Sequence, residues 1–150
     1  MSMEGELADL AEAIIGVARE LRLRLDSTAA SDADIVELTA SEAHLMRHID
    51  HHPGVTPSDL ARATGLQRSN MSTALRSLEN RGFVERRADP HDARGVNLYP
   101  TDRAAENLKR LRRQWAQLMD NGLRGDRQGA AAAKALLERV EAALTADRLG

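Results

Sequence analysis

Residues 56–99 read TPSDLARATGLQRSNMSTALRSLENRGFVERRADPHDARGVNLY, and the fold is decided there. Thr56 is a good helix cap, since its hydroxyl can accept from an orphan N–H of the first turn. Pro57 follows at the first helical position, where a missing N–H costs nothing. Asp59 suits the positive end of the helix dipole. These signals predict a helix over 58–64, stopped by Gly65, which tolerates the left-handed conformation of a helix end. Leu66 then re-enters the core and can staple onto Met71 as a second helix starts near Gln67 or Arg68. Met71, Leu75 and Leu78 recur at steps of four and three, which marks a buried face. The opposite face carries Ser69, Thr73, Arg76 and Asn80, flanked by Asn70, Ser72 and Ser77. Such side chains can lie close to a duplex and offer donors and acceptors to base edges and phosphates.

Gly82 closes the second helix. Residues 83–87 and 96–99 read as two short strands, the second alternating apolar and polar. Between them, 88–95 is expected to be a polar loop with Pro90 and Gly95. A hairpin attached to a helix–turn–helix is a winged helix. Arg94 at the loop tip can enter a narrow minor groove, whose negative potential attracts arginine, with Asp92 placed to hold it. Thr56, Ser58, Arg68, Arg86 and Arg87 are expected at phosphates. Ser69, Asn70, Ser72, Thr73 and Arg76 are expected in the major groove.

These residues resemble the MarR (multiple antibiotic resistance regulator) family of bacterial transcription factors. The resemblance rests on Leu38-Thr39, Pro53-Gly54, Leu60-Ala61, Ser69 to Ser72, Leu78 to Gly82, and Asp89-Pro90 through Asp92-Ala93-Arg94. It covers about the central half of the chain. It implies a homodimeric DNA-binding regulator, usually a repressor, often released from DNA by a small molecule. On that implication, a ligand pocket is expected between the terminal helices and the winged domain, at Ile14, Ala18, Leu45, Ile49, Leu111 and Trp115. A ligand there would favour a spacing of the recognition helices that no longer fits DNA.

The flanks read as long helices. Leu7, Leu10, Ile14, Val17, Leu21 and Leu25 form one stripe over 6–26. Residues 27–37 read as a loop or frayed helix end. Thr39 with Glu42 reads as a capping box for a helix whose core side is Leu45, Met46 and Ile49. After the wing, a helix beginning near Asp102 carries Leu108, Leu111, Trp115, Leu118 and Met119. A last helix carries Leu136, Leu137, Val140, Ala143 and Leu144. The expected fold is mainly α with a small β wing. It divides into an N-terminal dimerisation helix (1–38), a winged helix–turn–helix (39–100) and C-terminal dimerisation helices (101–150). The terminal stripes have no sheet to cover them, so burial against a second copy is expected. A two-fold pair would set two recognition helices about 34 Å apart on one face of DNA.

Composition agrees. The chain of 150 residues carries a net charge of −2, unevenly placed. Residues 1–50 hold 11 acids and 4 bases, whereas residues 62–113 hold 12 bases and 6 acids. That polarity predicts a basic footprint on the winged segment. Absence of cysteine excludes disulfides and thiol sensing. No signal peptide or apolar span is visible, so a cytoplasmic location is expected. No phosphate loop, nucleophile elbow or zinc-hydrolase helix occurs, so no enzyme and no cofactor is expected. Two alternatives stand beside DNA binding. His44, His48 and His51 share a helix face, which suits a metal-sensing regulator. A winged helix can also serve protein–protein contact, though Arg76, Arg86, Arg87 and Arg94 favour a phosphate partner.

Overall fold

A computed structural model describes residues 2–29 and 34–150. The order is α1 (Met3–Ala29), α2 (Ala40–His51), α3 (Pro57–Thr64), α4 (Arg68–Asn80), β1 (Val84–Asp89), β2 (Asp92–Pro100), α5 (Asp102–Leu123) and α6 (Arg127–Leu149). The segment 27–37 divides accordingly: α1 continues to Ala29, 30–33 lie outside the described residues, and 34–39 is non-helical.

The helix ends follow their local chemistry. Thr39 and Glu42 complete a capping box on α2. Thr56 caps α3 by accepting from the Asp59 N–H at 3.1 Å, and Gly65 ends it at φ 65°. At the end of α4, Phe83 N–H bonds Leu78 C=O and Gly82 N–H bonds Glu79 C=O, with Gly82 at φ 74°. That pair satisfies the last carbonyls by a Schellman arrangement. Thr101 caps α5 through the Ala104 N–H and also donates to Gly82 C=O at 2.6 Å.

The core is built by α2, α3, α4 and the hairpin. Leu45, Ile49, Leu60, Leu78 and Leu98 are fully enclosed, with Met46, Met71, Leu75, Phe83 and Val84 around them. Burial of such side chains contributes about 1.5–3 kcal/mol each. The hairpin is antiparallel, from Val84 opposite Pro100 to Ala88 opposite Val96. Leu98 also bonds back to Gly54 and Val55, which pins the wing to the turn before α3.

The wing is tighter than the polar loop expected over 88–95. Strand pairing runs to Asp89, and β2 resumes at Asp92. The extra length appears instead as a bulge: Asp89 faces Asp92, so Ala93, Arg94 and Gly95 are surplus residues on β2. A Cβ at Gly95 would lie 2.9 Å from Asp89 Cβ, so any side chain there forces Asp89 or the wing tip to shift. The sequence shows the Pro and Gly but not the cross-strand pairing that consumes the loop.

The terminal helices are scarcely covered. Leu7, Leu10, Ile15, Val17 and Leu23 on α1 are exposed, as are Leu136, Leu137, Val140 and Leu144 on α6. Among the described residues α6 buries none. It is tied to the winged core by polar contacts: Glu141 pairs with Arg47 of α2, and Arg148 donates to the carbonyls of Arg62 and Ala63 at the end of α3.

Candidate nucleic-acid interface

Helix α4 buries Met71, Ala74, Leu75 and Leu78. The 3.6-residue period therefore turns Ser69, Asn70, Ser72, Thr73, Arg76 and Asn80 outward, and all are exposed. The helix begins with Gln67 as N-cap and no side-chain cap. Its first ladder bond runs from Met71 N–H to Gln67 C=O at 2.9 Å. The N–H groups of Arg68, Ser69 and Asn70 thus precede the ladder at the positive end of the dipole, a good seat for a phosphate.

Of the expected phosphate contacts, Ser58 and Arg68 are exposed, and Thr56 has one lone pair engaged in its cap. Arg68, Arg76 and Arg94 form no ion pair among the described residues. Arg86 and Arg87 are differently placed. Arg86 pairs with Glu79 of α4, joining strand β1 to the helix. Arg87 pairs with Glu85 and lies 4.2 Å from the Tyr99 ring centroid. Both pairs are solvent-exposed, where such contacts are worth little, so a phosphate can replace the carboxylate at small cost.

At the wing tip, Asp92 Oδ1 accepts from the Arg94 backbone N–H at 2.9 Å, and Asp89 Oδ1 accepts from the His91 N–H at 2.8 Å. Asp92 therefore fixes the backbone that carries Arg94 and does not hold the guanidinium itself. The two carboxylates are spent on local turns of the kind short acidic side chains favour.

A second feature is a cleft of about 540 Å³ between α1, α2 and α5. Of the six residues expected at a ligand pocket, Leu111 and Trp115 line this cleft. Leu45 and Ile49 do not: both face the winged core and are fully buried. Ile14 and Ala18 lie on α1 away from the lining, which α1 supplies instead through Arg22, Leu25 and Asp26. The adjoining face of α2 contributes Ala43, Arg47 and Asp50. The two faces are offset by only one or two positions along α2, about 100° of rotation per residue, and hydrophobic spacing alone selects the more apolar one. Burial raises the Asp50 carboxyl above its ordinary value, partly offset by His51. Trp115 Nε1 is buried without a hydrogen-bond partner among the described residues.

The histidines have separate occupations. His44 Nε2 contacts Thr64 C=O at 3.1 Å, while the His48 and His52 rings stack at 4.5 Å. Burial first, then the neighbouring His52, His44 and His51, lowers the His48 pKa. Among the described residues no three histidine or carboxylate side chains converge as metal ligands.

Helix–turn–helix, wing and outward polar recognition face together define a winged-helix protein of the DNA-binding kind. The sequence profile of the MarR family matches residues 37–95, from just before the capping box of α2 into strand β2 of the wing. An HTH-type transcriptional regulator of Mycobacterium tuberculosis is 29% identical over 111 residues, 72% of each chain. A mutant of MepR from multidrug resistant S. aureus superposes with a TM-score of 0.75 at 18% identity, covering 90% of this chain and 96% of that one. A second MepR mutant, bound to an oligodeoxyribonucleotide, superposes at 0.60 with 20% identity, covering 90% and 97%. The chain thus resembles MarR family transcriptional regulators in its central winged segment and in its fold.

Proposed function

We propose that the protein is a homodimer that represses transcription by binding an inverted-repeat operator, and that a small molecule in the cleft releases it. The observation that carries the DNA reading is the outward face of α4 set beside the unpaired Arg94 of the wing. Ser69, Asn70, Ser72, Thr73 and Arg76 read the major groove, and Arg94 enters the adjacent minor groove. Thr56, Ser58 and Arg68 hold phosphates, joined by Arg86 and Arg87 once they leave their glutamates.

Dimerisation is supported by the exposed apolar rows on α1 and α6. Apolar surface of that extent is a liability for a monomer and supports an interface there. Release by a ligand is supported by the cleft, whose walls come from both the winged core and the long helices. An occupant touching both bodies changes their relative setting, and with it the spacing of the two recognition helices.

Genomic fragments retained by the purified protein test the DNA reading. The expected result is enrichment of fragments sharing one palindromic motif, competed by the same duplex and not by a scrambled one. Uniform recovery of fragments would contradict it.

A further inference from the structure

Glu42 is a carboxylate only 4% exposed. Its Oε2 accepts from the Thr39 N–H at 2.9 Å and from Arg81 Nη1 at 2.9 Å. Ser77 of α4 lies beside it and helps hold its pKa below the ordinary carboxylate value. Arg81 is the residue that closes α4, and its second arm, Nη2, donates to Glu37 C=O at 2.6 Å. Its guanidinium therefore forks between the buried carboxylate and the backbone of the segment that precedes α2.

That segment is a wall of the cleft, which Ile35, Val36, Glu37 and Leu38 line. Its other side is fastened to α5. Val36 N–H donates to Asn107 Oδ1 at 2.9 Å, and Asn107 Nδ2 donates to Val36 C=O at 3.2 Å, an amide pairing that is 5% exposed. Arg110 Nη1 donates to Asp34 C=O at 2.9 Å. One strip of backbone, 34–38, is thus bonded to the long helix α5 on one side and to the end of the recognition helix on the other.

The remaining seats of α4 are chiefly apolar, through Met71, Leu75 and Leu78. Apolar contacts resist separation but are non-directional, whereas the fork at Arg81 fixes distance and angle. We propose that Arg81 is a positioning residue for DNA recognition: it locks the end of the recognition helix to the cleft wall, so that displacing the wall re-aims the helix. The proposal rests on α4 being the element that enters DNA.

A double-mutant cycle on a fragment retained by the wild-type protein tests it. Asn107→Ala frees the wall from α5, and Arg110→Gln does so from the surface should the first variant fail to fold. Arg81→Lys keeps the charge but cannot span both acceptors. The expected result is a roughly fivefold to tenfold loss of affinity for each single variant. The combined variant loses no more than the larger single loss, and the oligomeric state is unchanged. If Arg81 only stabilises the fold, Arg81→Lys lowers the melting temperature and the losses multiply, which overturns the proposal. Wall variants that bind as the wild type does also overturn it. Failure of the wild-type protein to retain any duplex shows before a variant is made, and removes the reading beneath the proposal.

Discussion

At the scale of single residues, the decisive side chain is Arg94. Its backbone is fixed by Asp92 and its guanidinium stays unpaired among the described residues. Arg94→Ala is expected to weaken operator binding by about 1–3 kcal/mol with the melting temperature unchanged. Equal affinity by fluorescence anisotropy would take the wing out of recognition. Buried Glu42 and half-buried His48 both make stability fall on acidification. Burial tends to raise the Glu42 carboxyl, but hydrogen bonds from Ser77 and Thr39 and the Arg81 charge outweigh it and lower the pKa. Its contribution is present above the unfolded value near 4.3 and is lost as pH falls through the folded value. His48 is also lowered, so its neutral form favours the fold above about 6.5 and that contribution fades as pH falls below it. Melting temperature should therefore decline in two steps on acidification. His48→Gln is expected to flatten the upper step alone; an unaltered upper step would assign it elsewhere.

At the scale of elements, the helices were the legible part. Capping residues Thr39, Thr56 and Thr101 and terminators Gly65 and Gly82 act within a few positions, so their effect is written locally. The wing was legible as two strands and a loop, but its bulge depends on which residues meet across the hairpin, which spacing does not encode. The same limit applies to Arg86 and Arg87. Read as free phosphate contacts, they fold back onto Glu79 and Glu85, acids that lie seven and two positions away. Apolar character makes Leu45 and Ile49 look like cleft residues, and that same character puts them inside the winged core. Asn107 carried no signal at all, because a lone polar residue on a helix looks the same whether it meets water or a backbone segment. Gly95 gives this scale its test. Gly95→Ala pushes a methyl against Asp89, so it should shift the wing tip, cost about 1 kcal/mol of stability and weaken operator binding. Wild-type binding by this variant would show that the wing tip tolerates displacement.

At the scale of the whole molecule, the uneven charge and the bare apolar helices point the same way. The basic half of the sequence carries the winged core, and the acid-rich first third is largely α1, whose apolar side lacks a cover in one chain. A standard interface of about 1,600 Å² drawn from α1, α5 and α6 is ample for a stable pair. Phosphate-led binding by such a pair is steeply salt-dependent. Affinity should fall by about 10³-fold or more between 50 and 200 mM salt. A flat response in the same titration would deny the basic surface its role. The most direct test of the account is a hydroxyl-radical footprint on a retained genomic fragment. Two equivalent protected half-sites, centred about 10–10.5 base pairs apart or a multiple of that spacing on one face of the duplex, are the predicted result. A single protected half-site, occupied by one copy of the chain, would contradict it.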